Sequence, residues 1–145
     1  MTQVRTPEQR QHMLDVADAF EAHANQFDMN NYANKGECGT VMCIAGWSTH
    51  LQGYEWSWYV FGGGSLARVT EDGFHASDLA ANAMGLSELE AVDLFVNGID
   101  AAESMPVHLR AKGMSDAVRQ IADGVPVRAA LADVTGRYGD VSVLL

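Results

Sequence analysis

Cys38-Gly39-Thr40-Val41-Met42-Cys43-Ile44-Ala45-Gly46-Trp47 is the stretch on which the fold turns. From Thr40 to Leu51 nearly every residue is small or apolar, whichever side of a helix it falls on. Such an all-round apolar pattern predicts a helix buried against several neighbours. Gly53 ends it.

The helices that bury it are read outward from there. Thr6, Pro7 and Gln9 supply an N-cap, a pre-set first turn and a capping-box partner. Met13, Val16, Ala17, Phe20, Ala24 and Phe27 then recur at helical steps as a core face, with Asp15, Asp18 and Glu21 largely opposite. The Asn-rich run from Asp28 to Gly36 has no period and reads as a loop. Beyond Met84, Gly85 is a stop, and Ser87 with Glu90 has capping-box spacing. The two helices around this turn are expected to bury Leu79, Ala83, Leu86, Leu89, Val92 and Phe95, with Asn97-Gly98 as the C-cap. Ala101 to Lys112 and Ser115 to Ala122 read as two further helices, and Pro126 opens a last one over Val127 to Thr135. The apolar tail Val141 to Leu145 is expected to dock onto the body. Between these groups, alternation at Tyr54, Trp56 and Trp58 and a return over Ser65 to Thr70 predict one small β-hairpin, at about residues 54–70. The expectation is a mainly α, compact multi-helix single domain spanning residues 1–145.

Charge narrows the function classes. The 145 residues carry a net charge of −10, from 19 acids against nine bases, of which only Lys35 and Lys112 are lysines. Without a Lys/Arg cluster, direct nucleic-acid binding is not expected. No apolar run approaches the roughly 20 residues needed to cross a bilayer. The opening MTQVRTPEQRQH has no apolar core of a secretory signal, so a cytoplasmic location is expected.

The two cysteines invite chemistry. A helix beginning at Thr40 would place the Cys38 thiol at its N-terminus, where the dipole favours a thiolate. Cys38, Cys43 and His50, with His75, His12 or His23 as a fourth ligand, form the zinc version of this reading. Cys43 and His50, however, stand two helical turns apart, roughly 10 Å of rise, against metal bonds of about 2 Å. The competing reading is two small buried apolar side chains. No Walker loop, nucleophile elbow or H-E-x-x-H is present, and no cofactor is expected.

The string C-G-T-V-M-C-I-A-G-W resembles the C-G-T-x-x-C-x-A-G-W/H signature of small uncharacterised proteins of actinobacteria and their phages. In these an A-x-x-x-L-G-L-S/T-x-x-E/Q-A-x-x-L-F pattern follows, and Ala80 to Phe95 is similar to it. The resemblance implies a phage or prophage setting and no established activity.

The aromatic run is the stronger functional candidate, with Tyr54, Trp56, Trp58, Tyr59 and Phe61 falling within eight residues beside Gly62-Gly63-Gly64. Trp and Tyr dominate binding hot spots because they bury large rigid areas and keep a polar handle. The run reads either as an exposed docking ribbon or as the roof of the helical core. Glu88, Glu90 and Asp93, continuing to Asp100 and Glu103, would form an acidic rim that steers a basic partner. The expected function is a non-enzymatic interaction module, a phage or prophage accessory protein that binds a host or other cellular protein. The alternatives are a thiol-dependent enzyme or metal protein centred on Cys38 and Cys43, and an acidic DNA mimic.

Overall fold

Thr6 and Gln9 begin the first helix as their spacing predicts. The Thr6 hydroxyl accepts the Gln9 N–H at 3.1 Å, and the Gln9 side chain accepts the Thr6 N–H at 2.9 Å. This capping box opens α1 (Pro7–Ala22), which buries Met13, Val16, Ala17 and Phe20. A single 3-10 turn follows at Ala24–Gln26, and Phe27 beyond it stacks on Phe20 with ring centroids 4.4 Å apart. Ala24, expected on the core face, is exposed because the helix has already ended. The computed structural model describes residues 5–27, 34–36, 39–41, 43–53, 56–61, 64–69 and 76–139, with the strands given by their backbone.

The central segment differs from its expected form. Asn34–Gly36 is β1 and Gly39–Val41 is β2, paired antiparallel with Lys35 opposite Thr40. The end of the expected loop and the start of the expected helix are therefore strand. The helix itself, α2, runs from Ile44 to Leu51, with Cys43 as its extended N-cap, whose carbonyl accepts the Trp47 N–H at 2.8 Å. Burial on every side holds from Ile44 through Thr49, whereas His50 and Leu51 at the end of the helix, expected inside, are exposed. Thr49, a polar residue in that interior, is satisfied by donating its hydroxyl to the Gly46 carbonyl at 2.9 Å.

The predicted hairpin is present as β3 (Trp56–Phe61) and β4 (Gly64–Val69), with Trp56 opposite Val69 and Phe61 opposite Gly64. It joins β1 through β4 to make a four-stranded antiparallel sheet of order β2-β1-β4-β3. Tyr54 and the tail Val141–Leu145 lie outside the described residues.

The remaining described elements are helices: α3 (Ala76–Met84), α4 (Glu88–Phe95), α5 (Asn97–Glu103), α6 (Val107–Ala122) and α7 (Val127–Tyr138). The chain is thus mainly α, as its periodicity predicts. Asn97-Gly98 does not close a unit but begins α5, with Gly98 buried. The helix expected over Ala101 to Lys112 is divided before Pro106: its first three residues belong to α5, and from Val107 it runs on through Gly113 to Ala122 as one continuous α6, while α7 runs on through Gly136. α6 buries Ala111, Met114, Ala117, Val118 and Ile121 at three- and four-residue steps against α1 and α7. α2 packs between α1 and α3, and α4 rests on α5 and α7, so the helices enclose one contiguous core. Among the described residues, no helix is long and apolar enough to cross a membrane.

Candidate functional site

The surface that stands out is built by the turn between α3 and α4. Gly85 makes this turn at φ +72°, a left-handed conformation that favours glycine, and a Cβ there would lie 2.6 Å from the Gln9 side-chain oxygen. The glutamine that closes the α1 capping box therefore also fills the space over this turn. Ser87 then caps α4: its hydroxyl accepts the Glu90 N–H at 3.2 Å and the Glu90 side chain accepts the Ser87 N–H at 3.0 Å.

Two ion pairs tether α4 to the rest of the fold. Glu90 meets Arg5 at 2.8 Å, with the arginine side chain only 3% exposed, and Asp93 meets Arg128 of α7 at 3.1 Å. In that orientation Leu94 and Phe95 enter the core. Leu89 is 79% exposed, Val92 51% and Val96 55%. These three stand at i, i+3 and i+7, one stripe down the outer side of the helix and its cap. The expectation that Leu89 and Val92 belong to the core is overturned. α4 carries apolar residues on both sides, and α5 and α7 cover only one of them.

Beside the stripe, α3 and α4 leave a groove of about 520 Å³, open to solvent. Ala81, Leu86, Ala91, Val92, Phe95 and Val96 form its apolar lining, with Ser77, Asp78, Asn82 and Glu88 as its polar members and no base among them. Asp78 and Glu88 are both exposed, and neither belongs to an ion pair among the described residues.

The expected acidic rim is therefore divided. Glu88 lines the groove, whereas Glu90 and Asp93 are held in the ion pairs that tether α4, Asp93 also accepting from Asn97 at 2.9 Å. Asp78 was not anticipated. It lies on α3, and only the fold brings it to the same groove as Glu88. Of the aromatic ribbon, Trp56, Trp58, Tyr59 and Phe61 belong to β3, the last strand in the sheet order. Their side chains lie outside the described part.

The candidate metal and thiol residues are only partly within the described residues. Cys38 and His75 lie outside the described residues. Gly39–Val41 is strand, so the cysteine at a helix N-terminus is Cys43, and it is only 5% exposed. His23 stacks on the Trp47 ring at 5.7 Å and His50 meets it edge-on at 5.8 Å. His12 instead bonds the buried Ser48 hydroxyl at 2.7 Å. Burial holds the His12 imidazole below its ordinary pKa, with Asp15 pulling it partly back. His12 and His23 of the α1 region thus touch α2, and His50, within α2, meets the side chain of its own Trp47. Among the described residues, no three His, Cys, Asp or Glu side chains are grouped as a metal site.

A second polar cluster joins helices. Arg119 of α6 reaches Asp18 and Glu21 of α1, both at 2.8 Å, and the Ser115 hydroxyl donates to Glu21 at 3.1 Å. The Arg119 hydrogen bond is the main reason the Glu21 carboxyl sits below its usual pKa. Each charge here has a partner within the fold, which marks the cluster as a clamp between helices.

No family profile, curated protein or solved structure matches this chain.

Proposed function

We propose that the chain is a non-enzymatic protein-interaction module, with a host or cellular protein as its partner, in the phage or prophage setting that the resemblance implies. The observation that carries the reading is the exposed Leu89, Val92 and Val96 stripe beside the α3–α4 groove. Single exposed apolar side chains are ordinary on a protein surface. A contiguous row of them, adjoining an apolar groove and rimmed by acids, is the pattern of an interaction site. The aromatic strand β3 adds a second contact element, since a strand at a sheet edge offers unpaired N–H and C=O groups to a partner.

The test is partner capture from host lysate, comparing wild-type protein with Leu89→Ser/Val92→Ser and with Trp56→Ala/Trp58→Ala. Circular dichroism would establish that both variants remain folded. Loss of the same captured protein in the first variant is expected. Unchanged capture by both variants would sink the reading.

A further inference from the structure

The geometry points to a short amphipathic helix, with lysine or arginine beside its apolar stripe, as the occupant of the α3–α4 groove. This rests on the interaction reading above and names the partner's chemistry.

Three observations select that occupant. The walls of the groove are helices, whose mid-helix N–H and C=O groups are already bonded within each helix, so an added strand would find no backbone ladder there. Leu89 to Val96 rises about 10 Å, or two helical turns. A row of side chains at i, i+3 and i+7 is a ridge, and a second helix packs on such a ridge with its own apolar row. The third observation is charge. Asp78 and Glu88 line the groove outside any ion pair of the described residues, no base lines it, and the whole chain stands at −10. Apolar area holds the occupant, and the two carboxylates select its sign and speed its approach.

The same charge argument separates this occupant from two others. A second copy of the chain would bring another −10 and an identical pair of acids toward the groove. The chain's own segment Val141–Leu145 is apolar but contains no base to meet Asp78 and Glu88.

The experiment uses a fluorescein-labelled helical peptide of Leu, Ala and Lys, with Leu at i, i+3, i+4 and i+7, and its counterpart with every Lys replaced by Glu. Binding to the full chain is followed by anisotropy at low and at physiological salt. The Lys peptide should bind at least about tenfold more tightly than the Glu peptide. Asp78→Asn/Glu88→Gln should weaken the Lys peptide by about tenfold at low salt, with a smaller effect as salt screens the charges. Glu8→Gln/Asp15→Asn, which neutralises two exposed acids on α1, should leave binding unchanged. Leu89→Ser/Val92→Ser should weaken binding by about tenfold at both salt concentrations.

Equal binding of the two peptides, or equal weakening by the α1 pair, would overturn the basic-helix assignment. In that case a surviving effect of Leu89→Ser/Val92→Ser would leave the interaction reading standing. If the apolar pair changes nothing, the basic-helix assignment falls, and with it the part of the interaction reading that the Leu89, Val92 and Val96 stripe carries. About tenfold tighter binding after removal of residues 140–145 would show that the groove houses the chain's own tail, and would also overturn the assignment.

Discussion

Replacing Gly113 with alanine should destabilise this protein, although it removes a glycine from the middle of a helix. On propensity alone the change favours folding by about 1 kcal/mol. Packing opposes it. A Cβ at position 113 would overlap the Met105 sulfur and lie 3.0 Å from Met105 Cε and 3.3 Å from Tyr138 Cδ2. Met105 is only 1% exposed, so its flexible thioether can give way only by repacking within the core. The Tyr138 ring is held by its hydroxyl, which donates to the Asp116 carboxylate. Overpacking of this kind costs about 1–3 kcal/mol, leaving a net loss near 1 kcal/mol once the propensity gain is subtracted. For a chain of this size that loss should lower Tm by about 3–5 °C. Urea unfolding followed by circular dichroism measures it, and the denaturant slope should not change. A double-mutant cycle with Met105→Ala identifies the cause. Alone, Met105→Ala empties a buried site at a cost of about 2–5 kcal/mol. Combined with Gly113→Ala it should cost about 1 kcal/mol less, because it also removes the overlap. Additive effects within about 0.5 kcal/mol, or a Gly113→Ala variant as stable as wild type, would refute this account of α6.

The two sides of α4 give a simpler contrast: Leu94→Ala, at a fully buried position, should cost about 2–5 kcal/mol. Leu89→Ala, at a largely exposed one, should stay within about 0.5 kcal/mol, and the reverse order in thermal unfolding would show that the helix is rotated. His12 predicts a pH dependence, because its folded pKa is depressed by burial from an ordinary value of 6.5. The contribution is complete above the unfolded pKa and declines as pH falls through it toward the folded value. Stability should therefore drop between about pH 7.5 and about pH 5.5 in wild type and drop less in His12→Gln, so equal urea-midpoint shifts would remove His12 as the cause.

What the sequence disclosed and what it concealed divide by the range of the interactions involved. The Thr6–Gln9 and Ser87–Glu90 capping boxes each close across three residues, so spacing alone reveals them. The hairpin is similar, since alternation in Trp56–Phe61 and the following glycines are neighbours in the chain. The stretch between Lys112 and Ser115, expected to separate two helices, contains Gly113, and glycine weakens a helix in isolation. The reason it is tolerated, Met105 packed against its bare Cα, lies on the far side of Pro106 in sequence and is set by the fold. Thr40 and Val41 could be counted as helix or strand, and pairing with Asn34–Gly36 decided for strand. On α4 both sides are apolar, so periodicity could not choose the buried one. Burial of Leu94 and Phe95 settles that, and Glu90 and Asp93, expected at a binding rim, are paired with Arg5 and Arg128.

The placement of the arginines connects this architecture to the proposed function. Arg119 ties α1 to α6, Arg10 reaches Asp123 at the end of α6, and Arg5 and Arg128 hold α4. Arg137 pairs with Asp133 along α7, and Arg110 donates to the Met105 carbonyl at 3.0 Å. Bases are scarce in this chain, and these are committed to acids and carbonyls of the protein itself. The excess of carboxylate is set by composition, 19 acids against nine bases, and Asp78 and Glu88 place part of it at the α3–α4 groove. Had an arginine been left beside that groove, it would neutralise these acids and admit partners of either sign. Arg5, Arg10, Arg119 and Arg128 are drawn into contacts between elements and no base lines the groove, which is the charge pattern on which the proposed preference for a positive partner rests.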